Sequence, residues 1–317
     1  MENVIITGAT GEIGLALVSE LLLHGKQVTV IVRPDSKRVA RLPSSKSLRI
    51  IACGLDGLSE LNGRSDLSGR FDVFYHLGWD YSRDHNNVDQ QILNVGYTLK
   101  AIDVAGRLGC SCFVGAGSQA EYGRVNGKID EATPCYPETA YGIAKLCAER
   151  MSRLSCEQKG IRCIWPRIFS VYGPGDAEST MVMSVTRQLL AGHVPSLTMG
   201  EQTWDFLYTS DCAKALRLLG ENETCEGVYC IGSGLTRPLR SYIEELRDNI
   251  DPKLSLGFGE IPYSERQVMN LSVSIDKLVR DTGFQPEVQF AAGIRRTIQW
   301  CREHSQVEET GFGAGGA

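Results

Sequence analysis

No stretch of the chain approaches the roughly eighteen consecutive apolar residues of a membrane-spanning helix. Strand-like residues begin at Asn3 without the charged and apolar regions of a secretory signal. Basic residues are also in deficit. Thirty-three lysines and arginines against 38 aspartates and glutamates leave a formal charge of −5, which gives no footprint for nucleic acid or an anionic membrane surface. CxxC and HxxxH pairs are absent. The 11 cysteines are odd in number and scattered, and the closest pair, Cys110 and Cys112, alternates along a predicted strand. They read as reduced small hydrophobes, and no metal is expected. These absences predict a cytoplasmic protein with neither nucleic-acid nor membrane partners. What is present is an ordinary globular composition, 42% apolar and 22% charged over 317 residues, enough for two domains of roughly 100–200 residues each.

Secondary structure alternates. Asn3–Thr7 (NVIIT) is a short β-branched run, a glycine turn follows, and Ile13–Leu23 has helical apolar spacing. Gln27–Val32 (QVTVIV) is a second strand, and further strands are predicted at Leu48–Ala52, Asp72–Leu77, Cys110–Gly115 and Arg162–Trp165. Long helical patterns cover Asn86–Leu108 and Tyr141–Lys159. Strands alternating with helices predict an α/β fold, a Rossmann-type doubly wound parallel sheet, because parallel strands need crossovers that place helices on both faces. After Pro166 the pattern shifts to a Gly/Pro loop (SVYGPGD), a helix near Thr180–Ala191, mixed short elements and a helix at Phe290–Arg302. A smaller C-terminal α/β substrate domain is expected to close over the strand ends. The expected division is 1–168 plus roughly 203–231 for the dinucleotide-binding domain, 169–202 plus 232–304 for the substrate region, and a disordered tail at 305–317.

Between the first strand and helix lies Thr7-Gly8-Ala9-Thr10-Gly11-Glu12-Ile13-Gly14. In that position Gly8 permits a tight turn, Gly11 lets backbone amides approach a pyrophosphate, and Gly14 lets helix pack on strand. Thr10, Glu12 and Ile13 complete the predicted cofactor loop. Glu12 is expected to point to solvent, since a carboxylate beside a pyrophosphate repels it. The end of the second strand, Val32, lacks the acid that would hold both ribose hydroxyls of NAD; Arg33, Lys37 and Arg38 follow it. NADP(H) is therefore favoured, with NAD(H) possible through Asp35. Tyr141 and Lys145 fall one helical turn apart, so an ammonium can lower the phenol's pKa toward neutrality. Ser118, beyond a predicted strand, can orient a carbonyl oxygen.

Together with DVFYHLG at 72–78, Asn94 in LNVGYTLKAI, GAGSQAEYG at 115–123, YGIAK at 141–145, PRIFSVYGPGD at 166–176 and WDFLYTSDCAKAL at 204–216, these motifs resemble the extended short-chain dehydrogenase/reductase family, which includes the NAD-dependent epimerases and dehydratases of nucleotide sugars. The resemblance spans roughly residues 3–303. It implies catalytic Ser118, Tyr141 and Lys145, cofactor contacts at Leu77, Gly78, Asn94, Tyr141, Lys145 and Ile168, and substrate contacts at Ser118, Gln119, Glu121 and Ser170. A homodimer through the helices at 86–108 and 141–159 is also implied. Departures narrow the reaction. Where the 4,6-dehydratases carry Asp-Glu after the serine or threonine, this chain has Gln119 and Ala120, and Glu121 stands one place late. Ala120 also replaces the cysteine of the epimerase-reductases. Trp204 stands where many members have arginine, and is expected to stack on a base or sugar. LGFGEIPYSERQVMNLSV at 256–273 is similar to the CDP-abequose synthases and related 4-keto-6-deoxysugar reductases, with Arg266 the candidate for the sugar-nucleotide pyrophosphate. The resulting reading is NADPH-dependent reduction of a nucleotide-linked 4-keto-6-deoxyhexose. A nucleotide-sugar 4-epimerase is the alternative, and a non-catalytic dinucleotide sensor is a third.

Overall fold

An eight-stranded parallel sheet organises the larger part of the chain. Its strands run in the spatial order Gly227–Ile231, Arg162–Ile168, Cys112–Gly115, Val73–His76, Asn3–Thr7, Gln27–Val32 and Leu48–Ala52, with the short strand Gly117–Ser118 also paired to Arg162–Ile168. The computed structural model describes residues 1–304 apart from 62, 65, 66, 68 and 81–85, so the tail expected at 305–317 lies outside the described residues. Strands such as Val73–His76 and Cys112–Gly115 are buried along their whole length, which is why they read as continuous apolar runs. Arg162–Ile168 continues three residues beyond its expected end, because Pro166 removes one ladder donor without breaking the pairing with Tyr229.

Helices cover both faces. Glu12–Leu23 and Thr209–Glu221 pack on one, where Leu17, Val18, Leu21, Cys212, Leu216 and Leu219 are fully buried. Val88–Arg107 and Ala140–Lys159 pack on the other around Ala101, Ile102, Ala105 and Cys156. Each fully buried Leu or Val side chain contributes roughly 1.5–3 kcal/mol. Eight of the cysteines are buried, as small apolar residues are. Strand order reverses between Asn3–Thr7 and Val73–His76, opening a crevice at the carboxyl ends of the strands.

A second, mixed sheet joins Thr236–Pro238, Thr203–Tyr208, Asn270–Val273 and Lys128–Ile129, with Ser170–Tyr172 beside Thr203–Tyr208. Two parts of the expected division need correction. Thr203–Tyr208 belongs to this smaller sheet, and the return to the larger one begins only with the helix at Thr209. Lys128–Ile129, inside the segment expected to be wholly dinucleotide-binding, also pairs here, with Ser272 and Val273. Alternation along a strand says which face is buried, not which sheet accepts its hydrogen bonds. Tyr172, Phe206, Tyr242 and Phe290 pack edge-on and tilted to form this lobe's aromatic core.

Candidate active site

The crevice begins at the glycine loop. Gly8 sits at φ +74°, and a Cβ there would lie 2.5 Å from the Leu77 carbonyl carbon, so only glycine lets the first strand turn against the fourth. A Cβ on Gly14 would strike the Gly8 oxygen at 2.2 Å. Gly11, the N-cap of the first helix, has room: its nearest neighbour would be 3.5 Å away, and no side chain caps the helix amides. An uncapped helix N-terminus reached through an open glycine suits a pyrophosphate, so these residues fit the cofactor expected of them. Around them lies a cavity of about 360 Å³ lined by Gly8, Gly11, Glu12, Ile13, Gly14, Leu77, Ile168 and by Arg38, Arg41, Asp176 and Trp300, among others.

The carboxyl of Glu12 does not point to solvent. Its Oε1 is buried without a hydrogen-bond partner, and the side chain turns inward toward Asp176 across the cavity wall. Burial first, and the charge of Asp176 second, hold Glu12 well above the usual carboxyl range. Repulsion from a pyrophosphate would turn a charged carboxylate outward, but the 173–176 loop lies against Glu12 and burial disfavours the charge on which that repulsion depends. Asp176 accepts from the Thr180 hydroxyl at 2.7 Å and from the Ala177 N–H at 2.6 Å, and its own pKa is raised by burial.

At the other end of the crevice stands the helix Ala140–Lys159. Thr139 caps it, accepting from Gly142 N–H at 3.0 Å, and a Cβ on Gly142 would lie 2.3 Å from the Ala120 oxygen. The first helical turn is thereby pressed onto the turn that carries Ser118. Lys145 is buried; its Nζ donates to the Ala116 carbonyl at 2.8 Å and stands 5.7 Å from the Tyr141 ring centroid. Burial pulls the Lys145 ammonium down to about 7. Ser118 is half-buried, its Oγ accepting from Ala120 N–H at 3.2 Å. The geometry thus brings the three expected catalytic residues to one strand end.

Glu121 is corrected. It is neither solvated nor turned to a substrate, but fully buried beneath the serine. It accepts from Ser118 N–H at 2.8 Å, Trp165 Nε1 at 3.0 Å and Arg167 Nε at 2.6 Å. The Ser118-Gln119-Ala120-Glu121 spacing is a capping box, and that reading of the sequence would have found its place. Asn94 bonds through both ends of its amide to the Asp80 backbone, at 2.7 and 2.9 Å, and so fixes the segment that leaves the strand Val73–His76. Gly78 N–H donates to Thr7 Oγ1, which is also bonded to the buried, neutral His76.

Arg33, Lys37, Arg38 and Arg41 are all exposed, and of the four Arg38 and Arg41 line the cavity. Arg41 was missed, although it follows Arg38 by three residues in one 3-10 turn, Lys37–Arg41, and so shares its face. Trp204 Nε1 donates to Ser170 Oγ at 2.8 Å, tying together two of the expected substrate residues. Arg266 is exposed; the hydrogen bond from Arg124 holds Glu138 below the usual carboxylate range, and the charge of Arg266 adds to that. Gln119 is half-buried in the turn after Ser118, and Thr10, in the glycine loop, is half-buried. Trp79 escaped the sequence reading because no short motif marks it, and Arg167 and Asp176, though inside PRIFSVYGPGD, carry no role there that spacing alone assigns.

Comparison with known proteins agrees in kind. The model of the NAD dependent epimerase/dehydratase family matches residues 4–232. A dTDP-glucose 4,6-dehydratase of Streptomyces griseus is 24% identical over 95% of this chain and 94% of its own length. A dTDP-4-dehydro-6-deoxyglucose reductase of Escherichia coli is 24% identical over 95% and 98%. Among solved structures, the UDP-glucuronic acid 4-epimerase of Bacillus cereus, in complex with UDP-glucuronic acid and NAD, superposes with a TM-score of 0.83 at 20% identity, covering 95% of this chain and 99% of that one.

Proposed function

Since the chain belongs to the NAD dependent epimerase/dehydratase family, an oxidoreductase-type enzyme of the extended short-chain dehydrogenase/reductase fold, we propose that it reduces a nucleotide-linked 4-keto-6-deoxyhexose with NADPH. The observation that carries this reading is the helix turn bearing Tyr141 and Lys145, pressed onto the Ser118 turn at the end of the glycine-loop crevice. A bound reduced nicotinamide supplies hydride to the sugar C4. Tyr141 then gives its proton to the forming alkoxide, Ser118 orients that oxygen, and the Lys145 ammonium one turn along the helix stabilises the phenolate left behind. Gln119 and Ala120 leave no acid or base for eliminating water, and Glu121, locked on Arg167, is no substitute. This speaks against a dehydratase.

Preference for NADP(H) over NAD(H) rests on Arg38 and Arg41, whose guanidinium groups can fork onto a 2′-phosphate. Residues of the smaller lobe, with Ser170 and Trp204 joined at its edge and Arg266 on its rim, carry the nucleotide sugar. Exposed Ile92, Leu93, Ile143, Met151 and Leu154 lie on the two helices expected to pair in a homodimer, and sedimentation tests that. Supplied with CDP-, dTDP-, UDP- or GDP-linked 4-ketosugars, the enzyme consumes stoichiometric NADPH on at least one. Failure on all four overturns the reading. A 4-epimerase instead retains NAD through purification and forms product without net cofactor use, and a sensor binds dinucleotide without turning over any ketosugar.

A further inference from the structure

The ammonium of Lys145 has two neighbours besides the Ala116 carbonyl, and one is unexpected. Its Nζ lies 3.7 Å from the centroid of Trp79, closer than to the ring of Tyr141. Trp79 is fixed on two further sides: its Nε1 donates to Gln91 Oε1 at 3.0 Å, and its ring meets Tyr141 edge-on, at 6.0 Å and 88°. Gln91 is itself buried on the helix Val88–Arg107. The indole therefore bridges the helices at 88–107 and 140–159, and it touches both members of the Tyr-Lys pair. We propose that Trp79 is a positioning residue of this active site, its ring face holding the Lys145 ammonium charged and in register beneath Tyr141.

The physical reason is the cost of burying a cation. Lys145 lies in an environment that disfavours its charged form, and the titratable groups facing it do not fully offset that. Tyr141 belongs to its own helix, neutral His76 comes from the strand Val73–His76, and Glu121, on the turn after Ser118, favours the charge but is already bonded to Arg167. An indole face is the strongest aromatic partner for an ammonium, and its attraction grows where water is excluded. Being apolar, the ring also completes the wall of the site without adding a group that titrates. The edge contact to Tyr141 restricts the phenol's rotation at the same time.

The proposal deepens the reductase reading and takes from it the roles of Tyr141 and Lys145, so one of its tests uses no substrate. In protein labelled with ¹³C at the lysine ε-carbon, the Lys145 resonance, assigned by its loss in Lys145→Arg, is expected upfield of the other lysines because of the indole ring current. Trp79→Leu abolishes that displacement and lowers the pH at which the resonance titrates by about one unit, the equivalent of a desolvated cation–π contact. Trp79→Phe keeps a ring face and restores most of both. In turnover, Trp79→Leu lowers kcat by roughly tenfold with KM nearly unchanged, and Trp79→Phe recovers it. A Lys145 resonance unshifted in the parent protein, or unchanged in its titration in Trp79→Leu, overturns the proposal whether or not a substrate has been found. So does a Trp79→Leu enzyme as fast as the parent. If Lys145→Arg and Tyr141→Phe keep full turnover while the resonance behaves as expected, the catalytic reading fails and the Trp79 contact stands.

Discussion

The two ends of the crevice solve opposite electrostatic problems with the same tool, burial. At one end a lysine is buried, and loss of water lowers its proton affinity to about 7 against the pull of a carbonyl and an indole that favour its charge. At the other end two carboxyl groups, Glu12 and Asp176, are buried against each other, and their proton affinity rises. The first end is poised to move a proton near neutral pH. The second is kept from carrying its full negative charge where a dinucleotide phosphate would lie. Position along a strand or helix does not distinguish these outcomes; the neighbours brought by remote segments do.

The largest expected effect is at the lysine end. Tyr141→Phe removes the only proton donor assigned to the forming alkoxide, and turnover falls by roughly 10²–10⁴-fold with dinucleotide binding retained. Steady-state rates on the ketosugar that supports turnover, together with a direct binding titration, check this. An enzyme that keeps its rate would leave the comparison without a proton-transfer end.

Beneath the same end, Glu121→Ala leaves the Arg167 guanidinium in the core without its 2.6 Å partner. Arg167 is only 2% exposed and its next acid, Glu149, is 4.0 Å away. Loss of one partner from such a pair is expected to cost about 3–5 kcal/mol, read as a lower denaturant midpoint. Glu121→Gln keeps an acceptor for Ser118 N–H and Trp165 Nε1 and loses less. Equal stability of parent and alanine variant would show that the Ser118 turn does not depend on this pair.

Across at the phosphate end, Arg38→Ala and Arg41→Ala each weaken NADPH by roughly tenfold to a hundredfold in Kd while leaving NADH nearly unchanged, as loss of a charge-assisted hydrogen bond does. Arg33→Ala changes neither by as much. A larger effect at Arg33 than at Arg41 would return the specificity to the residue that follows the second strand.

Legibility in the sequence follows the range of the interactions. The glycine loop, the first βαβ unit and the Tyr141–Lys145 turn are written in contiguous residues, and each appears where its spacing predicts. The surroundings of Glu12 and Glu121 are not legible, because their neighbours Asp176 and Arg167 come from segments that no local pattern connects to them, and the same holds for the bonds of Asn94 to the backbone of Asp80. The pairing of Thr203–Tyr208 with Ser170–Tyr172, outside the larger sheet, is not legible for a related reason, since partner choice is a tertiary property. Trp79 is hidden altogether. It follows a recognisable run, HLG, but its role depends on Gln91 and Lys145, on two different helices.

The smallest effect tests the carboxyl pair. Glu12 binds its proton more tightly folded than unfolded, so between the ordinary carboxyl pKa and its raised folded value the native state holds more protons than the unfolded state. Its contribution to stability is therefore present at low pH and is lost as pH rises through that window, with each unit of difference worth about 1.4 kcal/mol. Asp176, raised by burial as well, adds to the same slope. Deprotonation also puts negative charge against the helix N-terminus that would hold a pyrophosphate, so dinucleotide affinity should weaken over the same range. Glu12→Gln keeps the size and removes the proton exchange. Thermal unfolding measured against pH, with and without NADPH, should then show a flatter dependence in the variant and a smaller loss of cofactor stabilisation toward high pH. Parallel curves for parent and variant would mean that Glu12 is charged when folded, and that the two ends of the crevice are less different than their burial implies.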